Sequence, residues 1–518
     1  MRVEQFLRHS ALRFPDKTAL VASGRRLSFR EIDTLSDQLA QGLTDRGVAR
    51  GDRVVLFLDN SAEAVVSIFA ILKAGAVFSP VNPSTKADKL AYVLNNCSAR
   101  SLITESKLAP VAADAVVAAP SVALTVLSDT ESVPSTPGFV HWSQVLAEPS
   151  PEIRAGAPGI DIDLAMLIYT SGSTGFPKGV MMTHQNVVAA ATSITTYLEN
   201  TSDDIILNVL PIAFDYGLYQ VLMAMKVGAT LILEKSFAFP QHILNRAAEE
   251  KVTGLPLVPT MAALLLGQRN LAPGVLPSLR YITNTAAALP PSHIERLQAL
   301  FPHVALYSMY GLTECKRCTW LPPAELAKRI SSVGIAIPGT EAYVVDDSGN
   351  KVAPGVVGEL VIRGAHVMKG YWENPEATAR ALRPGLHPWE SVLYTGDLFR
   401  TDEDGFLYFV GRKDDIIKSR GEKVSPKEVE NVIYAIPGIA EAVIIGVPDP
   451  ILGSAIKAVV ALEPDFFLSS EEIKRHCARF LEDYMVPKFV EFRPSLPKTE
   501  SGKISRRLVA EAQAEMHE

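Results

Sequence analysis

Tyr169-Thr170-Ser171-Gly172-Ser173-Thr174-Gly175-Phe176-Pro177-Lys178-Gly179 gathers three glycines and four Ser or Thr residues, directly after the apolar run Leu164-Ala165-Met166-Leu167-Ile168. A strand that empties into such a loop presents backbone N–H groups to anionic oxygens, because glycine adopts positive φ and has no Cβ to block approach. The hydroxyls add donors and Lys178 adds a positive charge. By composition the stretch is a phosphate grip.

Its order excludes two other phosphate loops. In G-x-x-x-x-G-K-[ST] the second glycine would fall on Pro177, and Lys178 is followed by Gly179; G-x-G-x-x-G does not fit either. A Gly/Ser-rich loop alone reads better as a flexible surface segment. The order Y-T-S-G-S-T-G-x-P-K-G, however, resembles the phosphate loop of the adenylate-forming superfamily, which includes acyl-CoA synthetases, luciferase and peptide-synthetase adenylation domains.

Length and composition set the frame for that resemblance. A chain of 518 residues, at about 150 residues per domain, suggests three or four compact units. Its 47% hydrophobic and 21% charged residues suit a soluble globular protein. A net charge of −7 offers no field for nucleic acid or anionic membrane, so small molecules or a docking protein are the expected partners. The most apolar window, Leu108 to Leu127, is broken by Pro110, Asp114 and Pro120, short of the roughly 20 residues that span a bilayer. The N-terminus mixes charges where a signal peptide is apolar, so a cytoplasmic protein, monomer or homodimer, is expected. Four cysteines argue against a disulfide framework. Cys315 and Cys318 form a C-x-x-C, but Cys97 and Cys477 are isolated, so the spacing reads as incidental rather than as a redox pair or half a zinc site.

Along the chain, Phe29 to Leu43 has helical spacing, with Ser28 as N-cap and Glu31 completing a capping box. Val54 to Leu58 reads as a buried strand and Ala62 to Leu72 as a helix closing on Gly75. Leu72 to Pro83 reads as a helix end, a turn and a strand. Residues 84 to 160 alternate short helix and strand patterns, as a layered α/β domain requires. His184 to Tyr197 reads as a helix. Residues 332 to 411 are rich in turns and strands. Glu428 to Tyr434, Ala440 to Val447, Ala455 to Leu462 and Glu471 to Leu481 alternate helix and strand over about 100 residues, enough for a separate domain.

Several further segments carry chemistry. In Leu210-Pro211-Ile212-Ala213-Phe214-Asp215-Tyr216-Gly217, an enclosed aspartate needs a cationic partner; otherwise it is a solvated loop residue. Arg280 to Thr283 leads as a strand into Asn284-Thr285-Ala286-Ala287-Ala288-Leu289-Pro290, whose small residues let an aromatic ring lie against the backbone. Tyr310-Gly311-Leu312-Thr313-Glu314 offers a hard carboxylate oxygen for Mg²⁺ on a triphosphate, a hydroxyl donor and a ring that can stack. Lys316 and Arg317 follow, read either as ordinary surface charges or as partners for a second carboxylate in the substrate. Tyr394-Thr395-Gly396-Asp397 places a two-oxygen acceptor in a tight turn, suited to two ribose hydroxyls.

These segments, with Gly370-Tyr371-Trp372-x-Asn374-Pro375 and Leu496-Pro497-Lys498-Thr499-x-x-Gly502-Lys503-Ile504, resemble the superfamily's signatures in order from about residue 27 to 506. The resemblance implies a large multi-layer α/β N-terminal domain, 1–412, and a small mobile α+β C-terminal domain, 413–518. It implies ATP held by Thr170, Ser171, Gly172, Ser173, Thr174, Gly175 and Lys178. The adenine would lie by Thr285, Ala286, Ala287, Tyr310 and Gly311, although relatives often have glycine near Thr285. Thr313 would meet phosphate, Glu314 would hold Mg²⁺, and Asp397 with Arg412 would take the ribose.

Lys503 would bridge substrate carboxylate and α-phosphate, Asp414 would be the hinge, and Gly421 would edge a thiol channel. Phe214, Asp215 and Gly311 would border the acyl group. Many acyl-CoA synthetases have histidine where Phe214 stands, whereas peptide-synthetase domains have an aromatic residue followed by an aspartate that holds the substrate's ammonium; Phe214-Asp215 fits the second pattern. The expected reaction is ATP-dependent activation of a carboxylic or amino acid as acyl-AMP, then transfer to the thiol of CoA or of a carrier protein's phosphopantetheine arm. No carrier domain follows within the 518 residues, so that arm is expected from CoA or a separate protein. Transfer to an amine and a non-catalytic nucleotide-binding homologue are the alternatives; a kinase is disfavoured, since no His-Arg-Asp catalytic loop is present.

Overall fold

The computed structural model describes residues 1–129, 139–151, 153, 159–170, 177–268, 271–285, 289–413, 415–419, 422–449, 453–499 and 503–514. Helix α1 (Phe29–Asp45) starts on the expected capping box, with Ser28 accepting from the Glu31 amide and Glu31 from the Ser28 amide. Helix α2 (Ala62–Lys73) is buried on every side and lies in the main core. Its Lys73, fully buried, is neutralised by Asp33 at 2.5 Å and Asp37 at 2.7 Å.

An eight-stranded sheet runs through Arg53–Phe57 and Val77–Val81, parallel neighbours whose apolar sequences reflect burial on both faces. The apolar run read from the sequence becomes β1 (Leu164–Thr170), which pairs antiparallel with β2 (Lys178–Thr183). Thr170 stands directly opposite Lys178, so the two ends of the glycine-rich stretch meet across a hairpin. The far edge of β2 pairs with Gly370–Tyr371. Helix α3 (His184–Tyr197) has the predicted bounds. Helix α4 (Asp215–Val227) begins at the aspartate itself, so Asp215 is a first-turn helical residue rather than part of a loop.

A nine-stranded sheet contains β3 (Tyr281–Asn284) and β4 (Ala305–Leu312) as parallel neighbours, and β4 turns back antiparallel into β5 (Lys316–Trp320). A five-stranded antiparallel sheet follows, with β6 (Ser391–Thr401) paired to β7 (Leu407–Arg412). The last sheet is drawn from residues beyond 416. It carries helix α5 (Pro426–Tyr434), the long hairpin β8 (Ile439–Asp449) and β9 (Gly453–Leu462), and helix α6 (Ser470–Phe480). Its core, including Val429, Ile433, Ile444, Ile456, Ile473 and Cys477, is separate from the cores of the first two sheets. No helix among the described residues is long and apolar enough to cross a membrane.

Candidate active site

Ser171 to Gly175, Ala286, Ala287, Asp414 and Gly421 lie outside the described residues. The remaining expected site residues fall into three groups.

The first surrounds the hairpin ends. Lys178 lies with its Nζ 5.4 Å from the centre of the Tyr371 ring, and the Tyr371 hydroxyl donates to Glu314 Oε1 at 2.7 Å. The Met368 amide donates to the Glu314 carbonyl at 2.8 Å. The Gly370-Tyr371-Trp372 signature works structurally here: Gly370 and Tyr371 extend the sheet beside β2, while the Trp372 indole donates to the Asn96 carbonyl at 3.0 Å. Asn374 caps the next helix through the Ala377 amide. Glu314 is thus held through one carboxylate oxygen, near the positive charge of Lys178. Among the described residues no group of three or more His, Cys, Asp or Glu could hold a metal.

In the second group, Asp397 is buried in β6, where its Oδ2 accepts from the Tyr310 hydroxyl at 2.5 Å and its Oδ1 from Arg412 Nε at 3.0 Å. Burial raises its pKa, while Arg412 and the Tyr310 hydrogen bond pull it down. The Tyr310 ring meets Phe399 edge-on at 4.8 Å. Each carboxylate oxygen has one partner and retains a lone pair for a further hydroxyl. Thr285, at the end of β3, is buried.

The third group joins α4 to β5. Gly311 faces Arg317 across the β4–β5 hairpin, and a Cβ on Gly311 would lie 1.7 Å from the Lys316 carbonyl oxygen. Lys316 and Arg317 are not surface charges; they are 1% and 2% exposed. Lys316 has φ +61°, and the β4–β5 register shifts between Tyr310 and Gly311. This irregularity breaks the usual alternation of side chains, and both cations reach the ring of Tyr219, Lys316 Nζ at 5.9 Å and Arg317 Cζ at 5.6 Å. Lys316 Nζ donates to the Thr313 carbonyl at 2.9 Å. Burial lowers its pKa, and Asp215 is the charge that most opposes the shift. The Cys315 and Cys318 thiols on this hairpin are free and buried.

Lys503 links the last two groups. Its loop is closed by the Thr499 amide donating to the Lys503 carbonyl at 2.7 Å and by the Lys503 amide donating to Thr499 Oγ1 at 3.2 Å. Leu496 anchors that loop in a small core with Val443, Val459 and Val509. Lys503 is exposed to solvent. Partial desolvation by the protein around it lowers its pKa, Asp215 and Asp397 raise it, and Arg412 lowers it further. Asp215 and the Asp397–Arg412 pair therefore both act on this one ammonium.

The contact of Tyr371 with Glu314, the place of Tyr219 and the buried state of Lys316 and Arg317 were not legible in the sequence, although Tyr371 lies in the Gly370-Tyr371-Trp372 signature. The available signal was a Lys-Arg pair flanked by Cys315, Cys318 and Trp320, an apolar setting for two charges.

The chain matches the AMP-binding enzyme family over residues 7–372 and the AMP-binding enzyme C-terminal domain over residues 428–503. A long-chain-fatty-acid–CoA ligase of Bacillus subtilis (strain 168) is 33% identical over 99% of this chain and 95% of its own. A feruloyl-CoA synthase of Amycolatopsis sp is 34% identical over 95% and 94%. The ATP-bound structure of MatB from Rhodopseudomonas palustris superposes with TM-score 0.89 at 28% identity over 100% of both chains. Its apo structure gives 0.79 over the same coverage, so the present arrangement resembles the nucleotide-loaded relative more closely. The chain belongs to the AMP-binding enzyme family and, with it, to the adenylate-forming ligases.

Proposed function

We propose that this ligase activates a carboxylic acid with ATP and hands the acyl group to CoA. A carboxylate oxygen of the acid attacks the α-phosphorus; the new P–O bond forms as the α–β bridge breaks, and pyrophosphate leaves. Acyl-AMP is then attacked by the CoA thiolate, releasing AMP. The first step brings anion to anion, so positioning and charge neutralisation supply its acceleration. The observation that carries this reading is the buried Asp397, held by Arg412 at 3.0 Å and Tyr310 at 2.5 Å and acting together with Asp215 on the charge of Lys503. Lys503 neutralises charge between carboxylate and α-phosphate, Asp397 and Arg412 hold the ribose, and Lys178 meets the phosphates beside the hairpin.

A Mg²⁺ ion fits the donor set at Glu314, where Tyr371 occupies one carboxylate oxygen and leaves the other as a hard ligand. Bound there with the triphosphate, the ion would supply neutralisation of phosphate charge. The division at residues 412 and 413, with Asp414 as hinge and Gly421 beside a thiol path, is the accompanying proposal for the second step. It draws support from the separate core beyond residue 416. A second reading, in which Asp215 takes the ammonium of an amino-acid substrate, draws on its reach to Lys503; amino-acid-driven exchange lost in Asp215→Ala would carry it.

The test is to incubate the protein with ATP, Mg²⁺ and a panel of carboxylic acids, trapping acyl-AMP with hydroxylamine and in parallel supplying CoA. Hydroxamate and acyl-CoA are expected for at least one acid class. Nucleotide binding with neither product across the panel would overturn the proposal.

A further inference from the structure

Arg317 presents a charge that the described residues do not neutralise. It is 2% exposed, its Nη1 is buried without a hydrogen-bond partner, and the Tyr219 hydroxyl beside it is likewise buried and unpartnered. Its guanidinium lies 4.8 Å over the Tyr216 ring and 5.6 Å from that of Tyr219. Stacking on aromatic faces attracts the cation but satisfies none of its in-plane N–H donors. A buried charge normally needs a counter-ion. The same chain supplies two for Lys73, at 2.5 and 2.7 Å. Among the described residues neither Lys316 nor Arg317 has a carboxylate within 4 Å, and Asp215 acts on Lys316 from beyond that distance.

The placement identifies what is missing. Asp215 and Tyr219 are four residues, about one helical turn, apart on α4, hence on one face and about 6 Å apart along the axis. Asp215 is the end within electrostatic reach of Lys503, and Tyr219 is the end that meets the two cations. From the reacting lysine inward come one negative group and then two positive ones; Glu314 as well as Asp215 acts on Lys316, whereas Arg317 has no carboxylate within 4 Å among the described residues.

Resting on the acid-activating reading above, we propose that the acyl pocket selects a dicarboxylic acid. One carboxylate reacts beside Lys503 and the second binds Arg317, with the Tyr219 hydroxyl as an additional donor. The second carboxylate takes no part in bond making; it sets which acid is accepted. A guanidinium offers two parallel N–H donors to such a group, whereas a plain fatty acyl tail would leave those donors desolvated and unpaired.

The test is ATP–pyrophosphate exchange by the full-length enzyme across matched series: aliphatic dicarboxylic acids, their monoamides and monomethyl esters, and monocarboxylic acids of equal length. A diacid should exceed its monoamide at least tenfold in kcat/KM, mainly through KM. Arg317→Met should cost the diacid a further tenfold or more in KM while lowering KM for the neutral isosteres, so that the diacid preference collapses; Arg317→Lys should recover part of the loss. Tyr219→Phe should weaken diacid binding severalfold, giving a reading even if the Arg317 variants fail to fold. Monoacids that match or exceed diacids in the wild type, or an Arg317→Met loss equal for all acids, would overturn the proposal while leaving acid activation intact. Absence of exchange with every acid would instead overturn the underlying reading.

Discussion

Gly311→Ala tests whether the β4–β5 hairpin sets the geometry of the reaction. An alanine Cβ would lie 1.7 Å from the Lys316 carbonyl oxygen, 2.6 Å from its carbon and 2.8 Å from Arg317 Cα. Ordinary contact begins at 3.4 Å, so the facing strand must retreat by about 1.7 Å (3.4 − 1.7). That strand carries Lys316 and Arg317 and follows directly from Glu314. A misplacement of about 1 Å can cost roughly a hundredfold in rate, or about 2.7 kcal/mol of barrier. Overpacking itself costs about 1–3 kcal/mol of stability, so the variant should remain folded.

Pyrophosphate exchange should therefore fall at least about a hundredfold while the melting temperature drops by only a few degrees. Gly267→Ala is the control: its Cβ would meet nothing closer than 3.4 Å, and its φ is −77°. It should leave exchange unchanged. Exchange within a fewfold of wild type for Gly311→Ala would refute the claim that this hairpin positions the site.

Tyr371→Phe removes the hydroxyl that holds Glu314 at 2.7 Å; a charge-assisted hydrogen bond of about 1.5–3 kcal/mol implies roughly a tenfold or greater loss of exchange, partly restored by raised Mg²⁺. An unchanged Mg²⁺ dependence would count against the role given to Glu314. His184, His293 and His366 are buried, and burial lowers each pKa from 6.5 to about 4. The unfolded chain therefore binds protons between those values that the native chain does not, and stability is lost as pH falls from 6.5 towards 4. The slope approaches about 1.4 kcal/mol per pH unit for each histidine. Urea midpoints should fall between pH 7 and 5.5, and His366→Asn should reduce that dependence by about a third; identical midpoints would contradict it. Asp414→Pro, at the proposed hinge, should spare pyrophosphate exchange and slow thioester formation, and equal loss of both steps would argue against rotation there.

Much of this architecture was legible because local signals and tertiary needs agree. Ser28 and Glu31 announce α1 through a reciprocal cap, and the bounds of α3 follow from its spacing alone. The strand before the glycine-rich stretch was equally clear, since burial on both faces demands an unbroken apolar run. Asp215 was harder: Pro211 and Gly217 suggest a loop, yet Gly217 sits in the first turn of α4 because a Cβ there would lie 2.4 Å from the Pro211 carbonyl oxygen. Lys316 and Arg317 were obscured by the bulge, which departs from period-two alternation and turns two consecutive charges inward. The contact of Tyr371 with Glu314 joins residues 57 positions apart, and such a pairing leaves no trace in local periodicity.

In the proposed reaction Lys503 completes a nucleotide and acid site built on the first three sheets. Pyrophosphate exchange and ATP binding measured side by side in Lys503→Ala test it most directly. The account predicts exchange reduced by about a thousandfold or more, the scale of a charge stabilised only in the transition state, with ATP affinity within a few-fold of wild type. Undiminished exchange would contradict it.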